Sequence, residues 1–214
     1  MAVDGIKPFL VAIAGGTGSG KTYIARKIRA IDPAGISILS HDNYYKDRSS
    51  IPIGDRKKLN YDEPSALDND LFIEHLKQLK KGIGVDMPQY DFSTHTRKTD
   101  TIPFSPTPVV IVEGILILEN PDVCELFDLK IFIDVDSDIR LARRLKRDVG
   151  ERDRTFQESI NQYLVSAQPM YDLYVEPGKD RADLIIQNNG TEAELANAIV
   201  TIEARVREVL GICQ

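Results

Sequence analysis

The 214-residue chain predicts an α/β fold, with a five-stranded parallel sheet covered by helices on both faces. Three observations predict it. Short apolar runs recur along the chain, helical patterns alternate with them, and a glycine-rich octapeptide joins the first run to the first helix. The runs are residues 9–14, 36–40, 109–112, 130–134 and 183–187. Such runs are the pattern of strands covered on both sides, as in a doubly wound sheet. Helical patterns cover residues 21–31, 68–81, 137–149, about 155–175, and 191–210. The first repeats Ile24, Ile28 and Ile31 on one face. The last does the same with Leu195, Ile199, Ile202, Val206 and Val209, a face that packs on the sheet. The length supports one sizeable core, so residues 1–214 read as a single domain.

The octapeptide is Gly15, Gly16, Thr17, Gly18, Ser19, Gly20, Lys21 and Thr22. It matches G-x-x-x-x-G-K-[ST] in full, between a strand and a helix, the setting in which that motif binds phosphate. Glycines let successive N–H groups converge on phosphate oxygens, and the helix adds its positive dipole end. Lys21 then bridges the outer phosphates and the Thr22 hydroxyl ligates Mg²⁺. The fold class sharpens to a three-layer P-loop nucleoside triphosphatase sandwich, whose ligands bind at the carboxyl ends of the strands.

Two segments interrupt the alternation. Residues 83–103 follow Gly82, carry Gly84 near their start and Pro88 within, and alternate Ile83, Val85 and Met87 with other residues. They read as a β-hairpin standing off the main sheet, since Pro88 is confined to an edge. Residues 140–154 hold Arg140, Arg143, Arg144, Lys146, Arg147, Arg152 and Arg154 against Asp148, Glu151 and Asp153. In a chain of net charge −6 this reversal of sign reads as an arginine-rich lid, at about residues 143–160, that closes over phosphates.

Composition excludes other classes. With 27 Lys+Arg against 33 Asp+Glu, the surface does not attract nucleic acid polymers. Cys124 and Cys213 build no zinc spacing and read as free thiols. No secretory signal opens the sequence and no apolar run reaches the ~20 residues that span a bilayer, so a cytoplasmic location is expected.

Two acids stand at strand ends. Asp42 follows the second strand, where it can accept a proton from an attacking hydroxyl, hold Mg²⁺ through water, or simply cap a turn. Glu113 ends the third, at the usual position of a second metal anchor beside Thr22.

The stretches GGTGSGKT, SHDNYYKD, NYDEPSALD, MPQYDFSTHTR, IVEGIL, IDVDSDIRLARRLKRD and ERDR occur in that order over about residues 9–186. With them the chain resembles the uridine/cytidine kinase family, within the wider phosphoribulokinase/uridine kinase group. The resemblance implies phosphoryl transfer from ATP or GTP, with Mg²⁺, to the 5′-hydroxyl of uridine or cytidine. It implies Asp42 as catalytic aspartate and Glu113 as the Mg²⁺-linked acid. Tyr45, Tyr90 and His95 fall on positions that hold the base. Asp62 and Arg144 fall on those that hold the ribose, with Gln162 nearby. Arg147, Arg152 and Arg154 match lid arginines near the transferred phosphate. A homotetramer inhibited by CTP or UTP is also implied. Tyr23, Tyr44, Gly150 and Asp153 depart from the commonest pattern without removing a charged participant. Two other readings stay open. One is a kinase for another hydroxyl acceptor such as a sugar phosphate. The other is a catalytically silent nucleotide-binding regulator.

Overall fold

The sheet is built around β1 (Phe9–Ala14), the apolar run that precedes the glycine loop. The structure is a computed structural model and describes residues 7–56, 58–151 and 154–211. After β1 come α1 (Lys21–Arg29), β2 (Ile36–Ser40), the short α2 (Ile53–Arg56) and α3 (Asn69–Lys80). Four small strands come next: β3 (Val85–Met87), β4 (Tyr90–Asp91), β5 (Thr96–Arg97) and β6 (Ile102–Phe104). The chain then returns to the sheet with β7 (Val109–Glu113), α4 (Pro121–Cys124), β8 (Leu129–Asp134) and α5 (Ser137–Glu151). It ends with α6 (Phe156–Gln162), α7 (Gln168–Met170), β9 (Leu184–Gln187) and α8 (Glu192–Leu210).

The parallel strands lie in the order β2-β7-β1-β8-β9. Alternation along each strand fills two cores. Leu10, Ala12, Val110, Val112 and Phe132 face α3, α4 and residues 171–175. Val11, Ile13, Ile111, Ile131 and Ile133 face α1 and α8. Each such side chain fully withdrawn from water stabilises the fold by about 1.5–3 kcal/mol, so the scaffold under the site is rigid. In α8, Ala198, Ile202 and Val206 are buried while Val209 turns partly to solvent, which trims the expected stripe at its last turn. Thr191 caps this helix and exchanges bonds with Glu194, and Gly211 closes it in the left-handed conformation.

Register places the site. Glu113 is opposite Ser40 on one side and Ile13 on the other. The carboxyl ends of β2, β7 and β1 therefore coincide, and the residues beyond them emerge together.

The excursion is a long antiparallel hairpin. Val85 pairs with Phe104 and Met87 with Ile102; Tyr90 pairs with Arg97 and Asp91 with Thr96. Pro88 falls in the gap between the two ladders, where no N–H is required.

The region expected as one helix over 155–175 is more varied. The capping box of Thr155 and Glu158 starts α6. Wide π-type turns come after it at Tyr163–Ala167 and Tyr171–Val175, with α7 between them and a 3-10 turn at Glu176–Arg181 after them. Pro169, which has no N–H to donate, lies between the two wide turns.

Candidate active site

The strand order, with β1 at its centre, brings the glycine loop to the middle of the sheet, and packing fixes its shape. Gly18 has φ +79°, and a Cβ there would lie 2.5 Å from the Arg140 carbonyl oxygen. Gly15, at φ +142°, leaves a Cβ the same 2.5 Å from the carbonyl oxygen of Ile133. Only glycine fits at either position, because both the space and the positive-φ backbone exclude a side chain. Asn188, in the loop after β9, donates to the Ser19 carbonyl at 2.9 Å and ties that loop to the same turn. Within the loop the Ser19 hydroxyl is buried with no hydrogen-bond partner among the described residues.

Lys21 opens α1 and is buried, its Nζ donating to the Gly16 carbonyl at 3.0 Å. Burial lowers its pKa, while the negative charges of Glu113 and Asp42 oppose that shift. A buried cation beside a glycine loop at the start of a helix suits an anion.

Glu113 receives two hydroxyls. Thr22 donates to its Oε2 at 3.1 Å and Ser40 to its Oε1 at 2.8 Å. The described residues hold no group of three or more His, Cys, Asp or Glu side chains suited to a metal ion. A carboxylate and a hydroxyl next to a phosphate loop are instead the donor set that suits Mg²⁺, which takes one or two protein ligands and completes its shell with phosphate and water.

One cleft of about 420 Å³ gathers most of the expected site residues. Thr17, Gly18, Gly20, Lys21, Thr22, Asp42 and Glu113 line it, as do Tyr45, Asp62, Tyr90 and His95. Arg144, Arg147, Arg154 and Gln162 line it from the lid side. Gly15, Gly16 and Ser19 complete the loop behind it. Arg152 lies outside the described residues, as do Asp153 and Cys213.

Asp42 belongs to a 3-10 turn, His41–Tyr44, that continues β2. The same turn delivers Tyr45 to an aromatic pocket. Tyr45 meets Tyr90 at 5.1 Å between ring centroids, Tyr90 meets Phe92 edge-on at 5.2 Å, and Tyr61 stacks on His95 at 4.8 Å. His95 sits at the hairpin tip with φ +53°, an uncommon conformation for a residue other than glycine, and is buried rather than displayed on the surface. Arg97 locks the hairpin to the turn: Nε donates to the Tyr45 carbonyl at 3.1 Å, Nη2 to the Tyr44 carbonyl at 3.1 Å, and Nη1 to Asp68 Oδ2 at 2.9 Å. His75, read from sequence as surface or satisfied packing, is the latter. Its Nδ1 is 3.0 Å from the Tyr44 hydroxyl.

The arginine-rich helix α5 inverts the usual amphipathic pattern. The buried residues of α5 are Arg140, Arg144 and Asp148, four apart. Arg140 is not a lid cation. It lies under the glycine loop, stacked 3.7 Å from the Tyr171 ring centroid and bonded to Val135 O and Gln168 Oε1. Asp148 is the hub of the others. Arg147 Nη2 is 2.8 Å from Oδ1, and Arg144 Nε and Arg154 Nη1 lie 3.3 and 3.9 Å from Oδ2. Gln162 Oε1 accepts from Arg144 at 3.0 Å and also from Arg154. Burial pulls the Arg144 pKa down, and Asp62 and Asp148 oppose it.

Over residues 10–194 the chain matches the family described as Phosphoribulokinase / Uridine kinase. It belongs to that family. A uridine kinase of Bacillus cereus is 46% identical over 203 residues, covering 94% of this chain and 96% of the relative. A uridine kinase of Clostridium perfringens is 46% identical over 206 residues, covering 96% and 98%. The fold is shared with phosphoribulokinase from Rhodobacter spheroides, at TM-score 0.63 and 14% identity over 86% of this chain and 71% of that one. D-glycerate 3-kinase from Cryptococcus neoformans superposes at TM-score 0.62 and 18% identity, covering 85% and 86%. Among the described residues of this family member, no helix is long and apolar enough to cross a membrane.

Sequence reasoning missed several residues that this kinase-family site contains. Tyr61, Ile115 and Glu151 also line the cleft, and so does Arg143, which the sequence placed in the basic run without a role of its own. Tyr61 was adjacent to an acid already singled out, and an aromatic in that position was the available signal. Asp148 gave none, because an acid inside a basic run reads as solvated.

Proposed function

We propose that this chain is a uridine/cytidine kinase of pyrimidine salvage, transferring the γ-phosphoryl group of ATP or GTP to the 5′-hydroxyl of uridine or cytidine to give UMP or CMP. One observation carries the reading. The cleft that holds Lys21, Thr22 and Glu113 also holds the aromatic pocket of Tyr45, Tyr61, Tyr90, Phe92 and His95, and Asp42 lines it as well. A phosphate end and a flat aromatic end in one cleft suit a nucleotide donor and a neutral nucleobase acceptor.

The residues divide the work. Gly15 to Gly20 and Lys21 receive the donor phosphates. Tyr90 and Tyr45 offer faces to the pyrimidine, and His95 offers a ring nitrogen to its edge. Asp62 and Arg144 receive the ribose, with Gln162 steadying the arginine. Asp42 orients the 5′-hydroxyl and accepts its proton. Such general-base help is worth ~10²–10⁴ in rate. Arg147, Arg152 and Arg154 neutralise charge on the group in transfer, and an arginine in that role is worth ~10³–10⁵. Thr22 and Glu113 would hold Mg²⁺, with Asp42 in its outer shell. When bound, the ion supplies positive charge against the β- and γ-phosphate oxygens.

A sugar-phosphate kinase would need cations around the far end of the acceptor, and the part of the cleft lined by Tyr45, Tyr61, Tyr90, Phe92 and His95 is aromatic here. The same reading carries a cytoplasmic homotetramer inhibited by CTP or UTP. The test is incubation with MgATP and an equimolar mixture of ribonucleosides, sugars and sugar phosphates, with product identified by mass. UMP and CMP are expected. A phosphorylated sugar, or nucleotide binding with no phosphorylated product, would overturn the assignment.

A further inference from the structure

Ser166 is not among the residues that the family resemblance assigns a role. It sits in the first wide turn, Tyr163–Ala167. Leu164 and Val165 of that turn point to solvent, whereas Tyr163 and Ala167 are buried. One residue inserted in a helical turn rotates the rest of the helix by about 100°. The half-buried Ser166 faces inward, toward the loop before Pro64. Its Oγ donates toward Asp62 Oδ2 at 2.9 Å and Asn60 Oδ1 at 2.7 Å. Asn60 Oδ1 also accepts the backbone N–H of Asp62 at 3.0 Å. Asp62 is thus held at both its side chain and its main chain by one small network that spans more than a hundred residues of sequence.

We infer that Ser166 is a positioning residue for Asp62 and thereby sets the discrimination of ribose from deoxyribose. The inference rests on the reading of Asp62 as the acid that accepts the ribose hydroxyls. The logic is one of preorganisation. A carboxylate that must take two hydroxyls at once needs a fixed plane, and a hydroxyl donor on one oxygen removes much of its rotation about the last side-chain bond. Ser166 has a single proton to give. The charged acceptor binds it more strongly than the neutral amide does, so Asp62 is the partner that orders it. One turn earlier, Gln162 holds Arg144 and Arg154. The segment 162–166 therefore ties Arg144, Arg154 and Asp62 to the same short stretch of chain.

The test is steady-state kinetics of Ser166→Ala and Ser166→Thr with uridine, using 2′-deoxyuridine and 3′-deoxyuridine as competitors. Ser166→Ala is expected to raise the uridine KM about ten-fold with kcat within two-fold, the effect of one lost hydrogen bond to a charged group. The inhibition constants of the deoxynucleosides, which already lack a partner for Asp62, should change by less than about two-fold. Discrimination against deoxyribose then falls several-fold. Ser166→Thr keeps the hydroxyl and should keep wild-type discrimination. Equal weakening of all three nucleosides would overturn the inference, as would unchanged kinetics in Ser166→Ala or a loss of discrimination that threonine fails to restore. Absence of any nucleoside phosphorylation by the wild-type protein would instead count against the functional reading itself, so the two failures are distinct.

Discussion

Arg144 Nε and Asp148 Oδ2 lie 3.3 Å apart, one turn of α5 from each other, and both side chains are almost wholly withdrawn from water. Two further guanidiniums, those of Arg147 and Arg154, share the same carboxylate. One buried acid therefore holds three cations in a fixed array facing the cleft. Under the proposed function such an array would stabilise a charged transition state, because its orientation is set in advance of reaction.

Replacing Asp148 by Asn keeps the shape and removes the charge. Arg144 then retains Asp62 as its main nearby anion, and the array loses its common anchor. Breaking a buried pair costs about 3–5 kcal/mol, which for a chain of this size lowers Tm by about 10 °C. Turnover should fall about 10²-fold, with nucleotide affinity less affected. Differential scanning fluorimetry and initial rates below the new Tm check both halves. A variant as stable and as fast as the parent would remove Asp148 from this role.

Much of this site was legible beforehand, and the limits are physical. The glycine loop could be read because backbone geometry demands glycine at fixed spacing, as at Gly15 and Gly18. The main strands fell within a residue of expectation because both faces are buried, which makes the apolar runs continuous. Asp148, Arg97 and Ser166 were not legible. Each acts through a partner distant in sequence or through burial of a polar side chain, and neither leaves a local pattern. The wide turns around Pro169 were hidden for a related reason: they are set by the packing of buried residues such as Tyr163 and Tyr171, and no local residue pattern marks them.

Glu113 offers a direct test of the metal assignment. Gln at this position can accept from one of the Thr22 and Ser40 hydroxyls through its carbonyl oxygen and donate its amide N–H to the other, so the local structure should persist. The lost charge is the one that most supports protonated Lys21 against its burial. The expected result is a half-saturating Mg²⁺ concentration raised at least about ten-fold, with kcat lowered about 10²-fold. Mg²⁺ titration of initial rates measures this, after chelation has first stopped the wild-type reaction. An unchanged Mg²⁺ requirement would place the ion elsewhere.

His41 makes stability depend on pH. It is buried against Phe72, with ring centroids 4.1 Å apart, and burial lowers its pKa from 6.5 to about 3. Between those values the unfolded chain binds a proton on this ring that the folded chain refuses. Stability from this group is therefore complete above pH 6.5 and falls by about 1.4 kcal/mol for each unit below it. Burial shifts His75 in the same direction. Urea unfolding at pH 7.5 and 5.5 should show a loss of about 1.4 kcal/mol from His41, and His41→Gln should abolish that share. An identical pH difference in the two proteins would mean that His41 is not the group responsible.

Asp42 carries the sharpest consequence for mechanism. It lies after β2 in the turn that also carries Tyr45 into the aromatic pocket, and its charge acts on Lys21 from within the same cleft. An acid so placed can serve the acceptor hydroxyl without being needed to grip the donor. Asp42→Asn keeps size and hydrogen-bonding capacity but cannot take a proton at neutral pH. Turnover should drop at least ~10³-fold, because the change removes base catalysis and part of the positioning together. Nucleotide affinity, measured by calorimetry with a non-hydrolysable ATP analogue, should stay within about three-fold. Wild-type protein given ATP without nucleoside should hydrolyse it only slowly, because the proposed function requires the arginine-bearing segment to keep water from the phosphate. Near-normal uridine phosphorylation by the Asn variant would strip Asp42 of the role. Fast hydrolysis by the wild type in the absence of any acceptor would instead count against a lid that completes the site only around two substrates.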